Sequence, residues 1–290
     1  VWQGLSSSGR AEANSVSPFS EVELITLREL RRTFRSAKGG ILAGLSVAGG
    51  AGVSMLVAWL DRLQSEKVPA EIQGAARDQF FQGLYGADSG HAIAASPYPL
   101  WMMLEGALWL APLLVALMNF DAVSGELSHR SVRFWTVRVR RSSYILGKYL
   151  AGWLSVLAVL LTMNVIVWGV TIVVGHFSAG DVFTWGPRYF LVLLPVTAAW
   201  CGIATLVGAQ FKTPMLSLLA IFAAFFGLWF LRVVAGFSNH DAFAYVYPNF
   251  YDAFLLSTNG SQLATGLGAT LGIALLAAAA GTLLFERRDI

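Results

Sequence analysis

Residues 98–120 read YPLWMMLEGALWLAPLLVALMNF, and this stretch decides the class of fold. A helix crosses about 30 Å of hydrocarbon with about 20 mostly apolar residues. The run is long enough to do so, with Glu105 as its one ionisable residue. Five more runs of the same kind follow from the chain: Ile41–Leu60, Tyr149–Gly175, Tyr189–Phe211, Met215–Ala235 and Leu263–Phe285. The third in chain order reads equally well from Ala151. Composition agrees, since 56% of the 290 residues are hydrophobic and 13% charged, where a soluble domain carries roughly 25% charged residues. A soluble chain of this size cannot bury that much apolar surface, whereas a bilayer can. The expected fold is all-α, a six-transmembrane-helix bundle with an N-terminal interfacial helix.

Orientation follows from the asymmetry of Lys and Arg between the two sides. Fifteen fall on the side of the termini, among them Arg28, Arg32, Lys38, Arg133, Arg138, Arg141, Lys148 and Arg287. Five fall on the other: Arg62, Lys67, Arg77, Arg188 and Arg232. Both termini are therefore expected in the cytoplasm, with the chain in the plasma membrane (the inner membrane of a bacterium). Trp59, Tyr98, Trp101 and Trp185 suit an outer aromatic belt and Trp153 the inner one.

Residues 1–18 are polar, lack the apolar core of a secretory leader, and are set apart as a disordered or appended tail; the six-helix domain is expected over 19–290. Residues 20–38 read as a helix in the cytoplasmic interface, with Leu24, Leu27, Leu30 and Phe34 on one face beside an arginine stripe. The outer loop 61–97 is expected to hold a helix near Ala70–Leu84, and serves either as a docking surface for an extracytoplasmic partner or as a plug. Residues 236–262, rich in Tyr and Phe, are expected to pack partly into the outer surface. The net charge of +3 is too small to argue for nucleic acid. A lone Cys201 excludes a disulfide framework or multi-cysteine metal site, and the four histidines lie at or outside span ends, so no metal or haem site is expected.

Between the second and third spans runs Phe120-Asp121-Ala122-Val123-Ser124-Gly125-Glu126, then basic residues from Arg130 to Arg141, then Leu146-Gly147-Lys148. The segment is too charged for lipid and too short for a domain, and two spans end beside it. A force applied there tilts helices directly. This segment resembles the ABC type-2 permease family at Asp121, Gly125, Glu126, Arg141, Gly147 and Lys148. It departs from the family's usual Gly-Thr after the glutamate and from its Pro near the basic residues. The basic helix before span one, the long first outer loop, Pro248-Asn249-Phe250-Tyr251 and the ending Phe285-Glu286-Arg287-Arg288-Asp289 also fit, covering nearly all of the chain after residue 20. The resemblance implies a permease subunit of an exporter, most often a homodimer. Residues 121–141, with Arg133 and Arg138, would couple it to a separate ATPase subunit. ATP and magnesium would then sit on that partner, and this chain would hold no cofactor. Ser142 to Tyr149 lacks the first Gly and final Ser/Thr of a P-loop. The structural alternative is a solvated loop whose arginines only enforce topology, with Glu126 capping its helix or pairing with Arg130 or Arg133.

Two other functions stay open. Gly52-Val53-Ser54-Met55 has the form of an intramembrane serine hydrolase site, without a histidine deep in another span to act as base. An ATP-independent secondary transporter would need midplane charges, for which Glu105 is the main offering. Gly40, Gly44, Ala48 and Gly52, and likewise Ala264, Gly268 and Gly272, recur every four residues and allow close helix packing. Packing within the bundle is expected first, a subunit interface second. Glu105 and Arg232 are ionisable groups in or near spans, expected to pair if their helices touch, unless Arg232 snorkels outward. Asn164 is expected to donate between helices.

Overall fold

The computed structural model describes residues 17–67, 70–128, 139–174, 177–238 and 241–287. Every regular element among these residues is helical. The chain opens with α1 (Pro18–Arg35), whose first turn is capped by the Ser17 side chain. Then come α2 (Ala37–Lys67), α3 (Ala70–Tyr85), α4 (Ala87–Ala94), α5 (Tyr98–Asn119) and the short α6 (Ser124–Ser128). The second half comprises α7 (Arg141–Val173), α8 (Ala179–Gly208), α9 (Pro214–Ser238), two 3-10 turns (Asp241–Val246 and Pro248–Tyr251), α10 (Asp252–Leu256) and α11 (Gly260–Glu286). Six segments are long and apolar enough to cross a membrane: Ala37–Leu56, Tyr98–Ser128, Arg141–Val173, Ala179–Gly208, Pro214–Ser238 and Gly260–Glu286. This is a six-helix membrane bundle. The side holding α1, α6 and the end of α11 is called the terminal side here, and the opposite one the distal side.

Two of the expected spans start too late. α7 begins at Arg141, eight residues before Tyr149, and α8 at Ala179, ten before Tyr189. Hydropathy marks only the part of a helix that lipid contacts, whereas the hydrogen-bonded turns continue into the polar flanks. α8 starts with a Ser178 side-chain cap and carries Pro187 and Pro195 without breaking. The expected single helix over 20–38 is divided at Ser36, whose extended backbone ends α1. Ser36 Oγ accepts from the Gly39 amide at 3.2 Å, starting α2. Glycine is required at 39, because a Cβ there would lie 2.1 Å from Thr33 O.

α1 buries Ile25, Thr26 and Glu29 against α7, and leaves Leu24, Leu27 and Phe34 exposed. The apolar face foreseen in the sequence is therefore the one left for lipid, which suits an interfacial helix. The helix expected near Ala70–Leu84 is α3. Its Phe81 is fully buried, edge-on to Trp101 with ring centroids 4.9 Å apart. The loop thus forms a folded cap on α5. Arg77 donates to Ser96 O and lies over the Tyr98 ring, and Thr258 N donates to Ser89 Oγ. The second 3-10 turn is fastened to the spans themselves: Asn249 Nδ2 donates to Leu108 O of α5 at 2.7 Å and its Oδ1 accepts from Trp200 Nε1 of α8 at 2.8 Å.

The small-residue stripes do not pack as expected. A Cβ on Gly40, Gly44, Gly52, Gly268 or Gly272 would meet nothing within 4 Å, and Ala48 is exposed. The close approaches occur one step around each helix. Gly50 faces Met163 and Ile166 of α7, and Gly202 of α8 faces Ala274 and Ala277 of α11. Spacing by four identifies a possible seam but not which face turns inward, because several glycine rows coexist on α2 and α11.

Candidate functional site

On the terminal side, side chains of α6, of the first turns of α7 and of α1 meet. Glu126 is the centre. Its Oε1 accepts from Lys148 Nζ at 2.7 Å and from Arg32 Nη1 at 3.3 Å, and its Oε2 accepts from the Tyr144 hydroxyl at 2.9 Å. Lys148 Nζ also lies 3.0 Å from Glu29 Oε1 of α1. Glu29, Glu126 and Lys148 are all buried, so three helices are joined by two carboxylates around one desolvated ammonium. Arg32, half exposed, sits between the two carboxylates at 3.3 and 3.7 Å. Charge pairing of this kind offsets the penalty of taking ions out of water.

Gly147 explains how α1 comes so near. A Cβ at 147 would lie 2.6 Å from Ile25 Cγ2, so only glycine admits that side chain. Thr26 Oγ1 then donates to the carbonyl of Gly147 at 3.3 Å, in a buried hydrogen bond. Asp121 makes a second link, accepting from Lys38 Nζ at 2.6 Å, while Lys38 also donates to Met118 O and stands over the Phe120 ring. Arg141 ties the start of α7 to the end of α11 through Glu286 O at 2.9 Å. A polar cavity of 160 Å³ opens between these helices, lined by Lys38, Asn119, Asp121, Lys148 and Ser155. Asn119 Oδ1 and Ser155 Oγ have no hydrogen-bond partner among the described residues, and a cavity of this size and polarity suits water.

Of the residues singled out in the segment, Asp121, Gly125, Glu126, Gly147 and Lys148 converge here. Arg130, Arg133 and Arg138 lie outside the described residues, so an arginine pairing of Glu126 within the loop stays unplaced. Glu126 is buried, with its carboxylate turned to Lys148 and Tyr144. Glu29 and Tyr144 are the additions to the sequence reading. Glu29, one turn before Arg32, sits among arginines in sequence and looks like an ordinary surface ion; nothing in spacing alone marks it as buried.

On the distal side, Glu105 accepts from the Tyr85 hydroxyl at 2.7 Å, and Trp101 Nε1 donates to that same hydroxyl at 3.0 Å. α5 and α9 touch, yet Glu105 and Arg232 form no ion pair among the described residues. Arg232 is exposed and lies 4.8 Å above the Phe250 ring. This is the outward placement held as the alternative. Asp252 lies nearby, and burial, with the Glu105 charge second, pushes its carboxyl up to about 6. Burial also pushes the Tyr85 phenol far up. Asn164 Nδ2 donates to Leu160 O within α7, not between helices. Ser54 Oγ likewise donates to Gly50 O within α2. Among the described residues no cluster of His, Cys, Asp and Glu is placed to hold a metal.

In comparisons with known proteins, no family model matches this chain and no curated protein matches it.

Proposed function

We propose that this chain is the membrane-spanning permease subunit of an ABC-type exporter, driven by ATP hydrolysed on a separate subunit. The observation that carries the reading is the buried Glu29–Lys148–Glu126 cluster, which joins α6 to α1 and α7 at the end of two spans. A load on the segment 121–141 passes through Glu126 to Lys148 and Arg32, so α1 and the base of α7 move with α6. The agreement of Asp121, Gly125, Glu126, Gly147 and Lys148 with the type-2 permease pattern supports the same conclusion. In this reading the terminal side is cytoplasmic, as the excess of Lys and Arg there favours. A second copy completes the pathway, and the open faces of α2 and α9 give it room. The chain itself is not an enzyme; ATP and magnesium belong to the motor subunit.

The test is isolation of the chain from its native membrane with Cys201 replaced by serine and one reporter cysteine at Ser128 or Thr258. Ser128 should label only from the cytoplasm and Thr258 only from outside. An ATP-hydrolysing subunit should co-purify and be released by charge reversal at Arg133 and Arg138 with insertion unchanged. Outside-only labelling at Ser128, or a motor that stays bound and coupled after both reversals, would contradict the proposal.

A further inference from the structure

A groove on the lipid-facing flank of the bundle lies between α8 and α11, well away from the terminal-side cluster. Its volume is 380 Å³. Leu191, Val192 and Pro195 form one wall and Leu263, Leu267 and Leu271 the other, with Trp153 of α7 also lining it. Trp153 is fixed by hydrogen bonds from Nε1 to Leu194 O at 3.2 Å and Thr197 Oγ1 at 3.1 Å. The lining is almost wholly apolar. The exception is Arg188.

Arg188 is held in place from two sides. Its Nη2 donates to Leu256 O at 3.2 Å, and its guanidinium lies 4.9 Å from the Trp185 ring centroid. No carboxylate forms an ion pair with it among the described residues. A cation without a counter-charge on a membrane-spanning helix is costly and points to an anion from elsewhere.

Depth selects that anion. α8 has 30 residues, so it is about 45 Å long against about 30 Å of hydrocarbon. With Gly208 at the terminal-side boundary, about 15 Å overhangs on the distal side. Arg188 lies nine residues after Ala179, about 14 Å along, and so at the distal hydrocarbon boundary where lipid phosphates begin. From there α8 and α11 descend in the same direction. The walls run about 12 Å from Leu263 to Leu271, close to the depth of one leaflet. Trp153, bonded to Leu194 O and Thr197, marks the inner end near the midplane with Pro195, and so does not sit in the inner aromatic belt expected from the sequence.

The geometry points to a binding site for one glycerophospholipid of the distal leaflet, its phosphate on Arg188 and one acyl chain in the α8–α11 groove. A guanidinium offers paired donors to phosphate oxygens, and those not engaged by Leu256 O are free to do so. The apolar walls take the chain. The site is independent of any motor subunit.

Native mass spectrometry of the detergent-purified protein, with phosphatidylglycerol added, tests it. Diacylglycerol of the same chains is the control without phosphate. Wild type should retain one phosphatidylglycerol per chain and little diacylglycerol. Arg188→Gln should weaken retention about tenfold, the loss of a charge-assisted pair, and Arg188→Lys should restore most of it. Leu267→Trp and Leu191→Trp, which fill the groove, should each abolish retention with the thermal unfolding midpoint unchanged; the second variant guards against one misfolding. Equal binding of both lipids, or retention unaffected by Arg188→Gln, overturns the headgroup assignment. Retention unaffected by either tryptophan overturns the groove. A dimer that dissociates on Leu267→Trp while lipid retention persists would assign the groove to a second copy and refute the proposal.

Discussion

At the terminal end of the bundle, Lys148 is enclosed by Glu29 and Glu126, and Arg32 bridges both carboxylates from the solvent side. At the distal end, Glu105 accepts from a tyrosine hydroxyl, Arg232 rests on a phenylalanine ring, and Arg188 is held by a carbonyl and an indole. The buried terminal cluster neutralises charge with charge; around Glu105, Arg188 and Arg232 the distal end uses dipoles and ring faces. The difference is mechanical as well as electrostatic. An ion cluster whose members come from three helices resists separation, because parting them strands a desolvated charge. Hydrogen bonds from Tyr and Trp are individually modest and can be exchanged for water or lipid as the distal surface rearranges. The terminal end is thus the harder of the two to pull apart and the distal end the easier to rearrange.

The sharpest way to break this contrast is Lys148→Met, which removes the buried cation and leaves Glu29 and Glu126 with only the half-exposed Arg32 between them. Removing one partner of a buried pair costs about 3–5 kcal/mol, and thermal unfolding in detergent should show it. Glu126→Gln combined with Lys148→Met should cost clearly less than the two single losses together. Strict additivity would mean the cluster is not one unit.

The distal end should respond to pH instead. Asp252 titrates near 6 in the folded protein against an ordinary value of 3.8. Its protonated form is therefore favoured by folding. That stabilisation is complete below about pH 4 and is lost as pH rises through 6, by at most about 3 kcal/mol. The unfolding midpoint should fall between about pH 4 and 6.5 and level off above that, and Asp252→Asn should flatten the fall. An unchanged slope in the variant would remove Asp252 from the account.

Smaller still is the effect expected at Glu105 and Arg232. Their leucine variants should be additive to within about 0.5 kcal/mol, since no ion pair joins them; a coupling well above that would restore the pair. Least of all, Gly44→Leu should alter the stability of the single chain by no more than about 0.5 kcal/mol, because a side chain there enters open space. If the variant dissociates a dimer, the open α2 face is the subunit contact.

The six spans were legible because continuous apolar runs are a direct consequence of lipid solvation. The α3 cap was legible too, in the pattern over Ala70–Leu84. Helix rotation was not: Gly44 and Gly50 carry the same sequence signal, yet only Gly50 faces Met163 and Ile166. Within the terminal cluster, Glu126, Gly147 and Lys148 stood out by their order between two spans. Glu29 did not, because its burial depends on how α1 docks across α7, which rests on Gly147 more than a hundred residues away. The pairing of Glu105 with Arg232 failed for a related reason. Similar depth does not fix direction around the helix axis, and Tyr85 from the cap reaches Glu105 first.

The most direct test of load transmission is the rate of ATP hydrolysis by the purified complex, compared between wild type and Glu126→Gln/Lys148→Met. On the proposed function, this chain should stimulate a bound ATP-hydrolysing subunit in the wild-type complex. In the double variant the motor should remain bound, with stimulation reduced at least about tenfold, because neutral side chains no longer tie α6 to α1 and α7. Full stimulation in a folded, motor-bound double variant would contradict the account.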